Sequence, residues 1–169
     1  TNIGFGAGCN AGARIAQTDW LFFVNPDVEL QEDTLDVLCH AAQRYPNVSA
    51  FNPRILDSRG KDDFRRRSYL LEKKKYLPKQ PPVADQEVPI LHGSALFVSA
   101  DNLNAIGGFD EKIFLFHEDD DLSLRLKARG SLMYVRGACV KHVGGCSSPR
   151  TADIARFKAY HLAKSRIYT

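Results

Sequence analysis

Trp20-Leu21-Phe22-Phe23-Val24-Asn25-Pro26-Asp27 is the stretch on which the fold class turns. A continuous apolar run closed by Asp19 on one side and Asn25-Pro26 on the other reads as a buried strand ending in a proline-stiffened turn. Before it, Ala7 to Gln17 suits a short helix with Ala7, Ala11 and Ile15 on one face. After it, Leu35, Leu38, Ala42 and Tyr45 recur at three- and four-residue intervals, which predicts a helix from Gln31 to Tyr45 stopped by Pro46. Val48 to Phe51 reads as a second strand and Asp57-Ser58-Arg59-Gly60 as a turn. Further on, Ser94 to Val98 is strand-like, Asp101 to Ile106 a short helix and Gly107-Gly108 a break. A helix opens at Glu118 and runs to Arg129, with Leu122 and Leu126 inward and Gly130 as its C-cap. Leu132 to Val135 and Ala138 to Val143 are extended, and Ile154 to Ile167 forms a closing helix. Strands alternating with helices predict an α/β layered fold.

At 169 residues, 44% of them apolar and 25% charged, the chain has the size and composition of one soluble domain with a sizeable core. No apolar run approaches the roughly 18 residues of a membrane span, and no secretory segment opens the chain. Cys9, Cys39, Cys139 and Cys146 are unevenly spaced and read as reduced thiols of a cytoplasmic protein. The sequence begins inside a glycine-rich turn, Thr1-Asn2-Ile3-Gly4-Phe5, as though a preceding strand had been removed. The net charge of +3 is unevenly spread. Nine Lys or Arg between Arg59 and Lys79 face only Asp62, Asp63 and Glu72, within a basic, proline-containing loop over 59–90. A nucleic-acid patch, a surface for anionic lipid, a loop closing over a phosphorylated substrate and a solvated linker all fit that composition.

Candidate chemistry lies at the ends of the strands, where open α/β sheets bind ligands. Asp27 follows the first strand directly and could ligate a hard divalent cation; an ordinary turn residue is the plainer reading. His142 closes the extended segment before Gly144-Gly145. Between Asp110 and Asp121 fall six carboxylates, four of them consecutive: Glu118-Asp119-Asp120-Asp121. Such a run suits a helix N-terminus through the macrodipole, but its mutual repulsion also invites cations or chemistry. Successive helical residues point about 100° apart, so the four cannot share one cleft, and Asp120 is expected toward solvent or the helix dipole. Gly6-Ala7-Gly8-Cys9-Asn10-Ala11 fits a dinucleotide fingerprint, though no strand precedes it in the chain.

Taken together and in order, Asn2 to Gly12, Trp20 to Val28, His92-Gly93-Ser94-Ala95, Gly107-Gly108-Phe109-Asp110-Glu111, Glu118 to Leu122 with Arg125, and His142 with Gly145 and Ser147 resemble the motif series of family 2 inverting glycosyltransferases, in particular the rhamnosyltransferase-like branch. The resemblance implies a GT-A-like mixed sheet flanked by helices, amino-terminally truncated in this chain. It also implies a nucleotide-diphosphate sugar donor, with dTDP-rhamnose a candidate, a hydroxyl acceptor in a glycan or lipid-linked glycan, and Mg²⁺ or Mn²⁺. By position, Asp119 would be the catalytic base, with Glu118 and Asp121 in support. Asp27 and His142 would hold the metal, Asn25 standing where the family's motif has its first Asp. Gly93, Ser94, Asn10, Arg14, Gly107 and Gly108 would line the donor and acceptor sites.

The residue types suit the reaction. An acceptor hydroxyl is a poor nucleophile and needs a carboxylate to take its proton, while a departing nucleoside diphosphate gains charge that a cation can stabilise. Base and metal are therefore expected on opposite sides of one cleft. Family members begin with further strands that serve the nucleotide base, so this polypeptide by itself is expected to bind donor poorly and to self-associate through an exposed sheet edge. Peripheral contact with the cytoplasmic membrane face is expected and nucleic-acid binding is not. A non-catalytic sugar- or nucleotide-binding module is the alternative.

Overall fold

The computed structural model describes residues 2–144, 149 and 151–169. Thr1, Gly145, Cys146 and Ser147 of the sequence reading lie outside the described residues. Strand β1 (Trp20–Val24) pairs antiparallel with β5 (Ala95–Ser99), which pairs antiparallel with β3 (Val48–Leu56). β3 runs parallel to the long β6 (Ser131–His142), whose other edge carries two short antiparallel strands, β2 (Val28–Leu30) at its end and β4 (Gln86–Glu87) near its start. The sheet order β1-β5-β3-β6-β2 leaves β1 at one margin.

Period-two alternation sends the central strands' side chains to two cores. Ala50, Leu96, Val98, Leu132 and Tyr134 face α3 (Ala100–Ala105), α4 (Glu118–Lys127) and the Phe109 turn. Phe51, Phe97, Met133 and Val135 face α2 (Thr34–Arg44), where Trp20 stacks on Phe97 at 5.1 Å. α4 buries Leu122 and Leu126 completely, one turn apart on its inner stripe, as expected. Helix α1 (Phe5–Ala13) packs Phe5 edge-on against Phe109, and α5 (Ala152–Tyr168) closes the chain. No helix among the described residues is long and apolar enough to cross a membrane.

Several boundaries differ from the sequence reading for local reasons. α1 ends at Ala13, so Ile15 is 84% exposed instead of lining a helical face. In α2 the buried positions are Thr34, Leu38 and Ala41, while Leu35 points out. β3 continues through Pro53 because a register shift between Pro53 and Arg54 removes the need for the missing N–H. The matching irregularity in β6, over 136–138, fuses two expected strands into one. Gly130 is not a left-handed cap: Ala128 caps α4, and a Cβ on Gly130 would lie 2.5 Å from the Asn47 carbonyl oxygen. The 59–90 segment is no solvated linker, since Ser68, Leu71, Val88 and Ile90 are buried.

Candidate active site

A cleft of about 760 Å³ opens where β1 and β5 meet the N-terminus of α4. Its floor is fixed by the backbone: the Asn25 N–H donates to the Ser94 carbonyl at 2.9 Å, tying the end of β1 to the start of β5. Asn25, Gly93, Ser94, Glu118 and Asp119 all line it, and Phe157, Lys158 and Leu162 of α5 form part of its wall.

Asp119 is held from two directions. The Gly93 N–H donates to Oδ2 and the Asp120 N–H to Oδ1, each at 3.0 Å. A Cβ on Gly93 would sit 2.8 Å from Asp119 Cβ and Oδ2, so only glycine lets the β5 loop approach so closely. Glu118, beside it, has a buried Oε2 with no hydrogen-bond partner among the described residues. Burial, then the Asp119 charge, pushes its carboxyl up to about 7. From α1, the Cys9 thiol is pushed up to about 11 by burial and by Glu118.

The other two members of the acidic run turn away from the cleft. Asp120, expected toward solvent, is 0% exposed and accepts from Arg65 at 2.6 Å and Ser68 at 2.8 Å, with His117 Nδ1 at 3.2 Å. Asp121 takes both Arg125 Nε (2.9 Å) and a terminal nitrogen (2.6 Å), and Arg125 in turn donates to the Ile106 and Gly108 carbonyls. Asp121 therefore holds the glycine turn instead of lining the cleft. Phe116 and His117, immediately before α4, are both left-handed at φ 67° and 68°. For bulky residues that conformation costs on the order of 1–3 kcal/mol each, and the His117 contacts to Asp120 and to the Tyr69 ring, 4.4 Å away, hold it.

Asp27 and His142 come together, as the resemblance implies. The Val143 N–H donates to the Asp27 carbonyl at 3.0 Å, β2 pairs Val28 with His142, and Asp27 Oδ1 lies 3.3 Å from His142 Nε2. That buried Oδ1 has no hydrogen-bond partner among the described residues. Two residues that the sequence reading did not assign to the metal, Asp63 and His92, gather beside His142. Asp63, His92 and His142 each offer a ligand atom within 4.8 Å of the others. Asp63 Oδ2 is 3.4 Å from His92 Nε2, and the imidazole holds the Asp63 carboxyl below its ordinary range against the opposing effect of burial. The Ser94 N–H donates to His92 Nδ1 at 3.2 Å, leaving Nε2 facing Asp63. Buried Asn52 fixes the whole loop, accepting from the His92 N–H and donating to the His92 and Ala95 carbonyls. The carboxylate and two imidazoles of Asp63, His92 and His142 fit a divalent cation, with the Asp27 carboxylate beside His142.

Four expected binding residues are not in the cleft. Asn10, Arg14, Gly107 and Gly108 line a separate concavity of about 630 Å³. Asn10 is a buried clamp on the glycine turn: its Nδ2 donates to the Phe109 carbonyl and to Glu111, and its Oδ1 accepts from the Phe109 N–H. Arg14 pairs with Glu111 at 3.5 Å on the surface. Gly107 and Gly108 both sit at φ +77°, and a Cβ on Gly108 would strike the Asn10 amide. Two of the amino-terminal glycines are likewise packed against protein, since a Cβ on Gly4 would meet Phe114 at 2.8 Å and one on Gly6 would meet Phe109 at 2.9 Å, whereas Gly8 has nothing within 4 Å.

Comparison with known proteins places these features in a family. A model described as glycosyl transferase family 2 matches residues 1–107. The chain is 31% identical over 169 residues to an N-acetylglucosaminyl-diphospho-decaprenol L-rhamnosyltransferase of Mycobacterium tuberculosis, an alignment that takes in 89% of this chain and 54% of the relative. To rhamnosyltransferase WbbL of Escherichia coli it is 28% identical over 131 residues, 69% of this chain and 49% of that one. It thus spans about half the length of the curated relatives it matches. Among solved structures, GalNAc-T7 with UDP, GalNAc and Mn²⁺ superposes with a TM-score of 0.65 over 95% of this chain and 34% of that one, at 13% identity. The mannosyltransferase PcManGT of Pyrobaculum calidifontis, in complex with GDP-Man and Mn²⁺, gives a TM-score of 0.57 over 96% of this chain and 43% of its own, at 14% identity. At those identities the likeness establishes a shared fold, the GT-A arrangement the sequence resemblance implied.

Proposed function

The chain belongs to glycosyl transferase family 2, and on that footing we propose that its cleft transfers a sugar, with inversion, from a nucleotide-diphosphate donor to a hydroxyl of a lipid-linked diphospho-sugar. The relatives' names motivate a rhamnosyl donor and an acceptor of that class; cell-surface glycan synthesis at the cytoplasmic face of the membrane is the setting we infer for it. The observation that carries the reading is the Asp119 carboxylate, clamped by two N–H donors in a cleft that it shares with His92. Asp119 removes the acceptor hydroxyl proton, the freed oxygen forms its bond to the anomeric carbon from one face, and the bond to the diphosphate breaks on the other, its electron pair leaving on the phosphate oxygen. Gly93 and Asp120 hold the Asp119 oxygens through backbone N–H groups, so the base reaches the hydroxyl without reorganising. Asp27, Asp63, His92 and His142 would hold a divalent cation, which when bound supplies charge neutralisation to the diphosphate.

The test is Asp119→Asn in the full-length enzyme. Transfer is expected to fall by about 10²–10⁴-fold with donor affinity retained; normal turnover would remove Asp119 as the base. Glu118 is the second reading, favoured by its unpartnered Oε2 and a carboxyl raised to about 7, near the optimum for a base at neutral pH. Transfer lost in Glu118→Gln but kept in Asp119→Asn moves the role to Glu118; the reverse outcome keeps it with Asp119.

A further inference from the structure

Resting on the reading of a lipid-linked diphospho-sugar acceptor, we propose that a basic groove beside the cleft is the subsite for the acceptor's diphosphate. The groove has a volume of about 460 Å³ and is walled by Asp62, Asp63, Arg65, Arg66, Arg67 and Lys79, while Arg65 and His92 line both it and the cleft. Its acidic members are already committed. Asp62 is paired with Arg54 at 2.5 Å and Arg136 at 3.4 Å, and Asp63 with His92. Arg65 is spent on Asp120. Arg66 donates only to the Leu77 carbonyl, and Arg67 and Lys79 have neither ion pair nor hydrogen bond among the described residues.

Arg66, Arg67 and Lys79, none with a carboxylate partner among the described residues, give the concavity a positive potential that favours an anion of several charges. A diphosphate supplies that charge in a compact group, and guanidinium forks bind its oxygens through paired N–H donors. The position favours acceptor over donor. The groove is built from the segment that follows β3, two strands inward from β1, and adjoins the cation group assigned to the donor's diphosphate, sharing Asp63 and His92 with it; with those two residues on the donor's cation, Arg66, Arg67 and Lys79 are left for a second anion. An acceptor anchored at Arg67 and Lys79 extends its sugar past Arg65 toward Asp119, whose neighbour Asp120 Arg65 grips.

The experiment uses the full-length enzyme and the double variant Arg67→Gln/Lys79→Gln, two exposed side chains whose replacement leaves the core intact. Calorimetry with inorganic pyrophosphate in EDTA, which silences the cation group, is expected to show binding that weakens about tenfold or more in the variant. Kinetics then compare the acceptor sugar on a short prenyl diphosphate with the same sugar on a neutral alkyl chain. The KM for the diphosphate acceptor is expected to rise about tenfold, with donor KM, kcat and the neutral acceptor within about twofold. Unchanged pyrophosphate binding, a rise in donor KM instead, or equal loss of both acceptors overturns the proposal. A full-length protein that binds pyrophosphate through these two residues yet transfers no sugar removes the parent reading, and the acceptor assignment with it, but not the anion site.

Discussion

Four consecutive carboxylates at one helix start do two different jobs. Glu118 and Asp119 face an open cleft, one with a buried oxygen left unpaired, the other clamped only by backbone. Asp120 and Asp121, the next two residues, are consumed by Arg65, Ser68, His117 and Arg125. The sequence chemistry is the same; the 100° helical step separates groups available to a substrate from groups that build the site. The strongest way to break this division is the pair Asp119→Asn and Asp120→Ala. Asp119→Asn is expected to reduce turnover by about 10²–10⁴-fold while the midpoint of chemical unfolding hardly moves. Asp120→Ala is expected to lower stability by about 3 kcal/mol, because it strands the Arg65 guanidinium and releases Ser68 and His117 from α4. Equal losses of stability in the two variants would erase the distinction.

How far this division can be read in the sequence depends on what each partner is. The fold was legible because β1 and β5 are apolar runs of strand length, the start of β3 is strand-like, and Leu122 and Leu126 keep helical spacing. Asp27 and His142 were legible as strand-end residues, and the short β2 that joins them, three residues long and partly exposed, was not. Asp63 was hidden inside a segment read by its net positive charge, and His92 inside a motif read for its glycine and serine. Both reach the site only because β3 and β5 are neighbours and Asn52 grips the His92 loop, facts of tertiary pairing. Asp120 was misread for the same reason: its partners Arg65 and Ser68 lie 55 and 52 residues away. Asn10 and Gly108 were read as ligand-binding because a glycine turn and a nearby amide look alike whether they cradle a substrate or each other.

A smaller effect sharpens the contrast from the cleft side. Glu118 rises from the ordinary 4.5 to about 7, by burial first and then by the charges of Asp119 and Asp120, with Arg65 opposing. Below about pH 4.5 the carboxyl is protonated in folded and unfolded chains alike and contributes nothing to the pH dependence. Between 4.5 and 7 the folded protein keeps a proton that the unfolded chain has lost, so stability falls as pH rises through that window and levels off above it. The full loss is at most about 3 kcal/mol. Glu118→Gln is expected to flatten this dependence and to stabilise the protein at pH 8, read from urea midpoints at several pH values. A pH profile identical to that of the parent would mean that Glu118 is solvated like any surface carboxylate.

The smallest expected effect tests the structural half of the run. Asp121 and Arg125 are both partly exposed, and their pair spans one helical turn. Removing the charge in Asp121→Asn leaves Arg125 its two carbonyl acceptors, Ile106 and Gly108, so the glycine turn keeps part of its support. The loss is therefore expected near 1 kcal/mol, within the range of a partly exposed ion pair, and should shrink at high salt. Turnover in the full-length enzyme is expected to stay within about twofold, because the carboxylate that changes faces the Gly107-Gly108 turn while the base is positioned by Gly93 and by the backbone of Asp120. A large fall in turnover with unchanged stability would place Asp121 among the cleft residues after all, and the helical step would no longer divide the run.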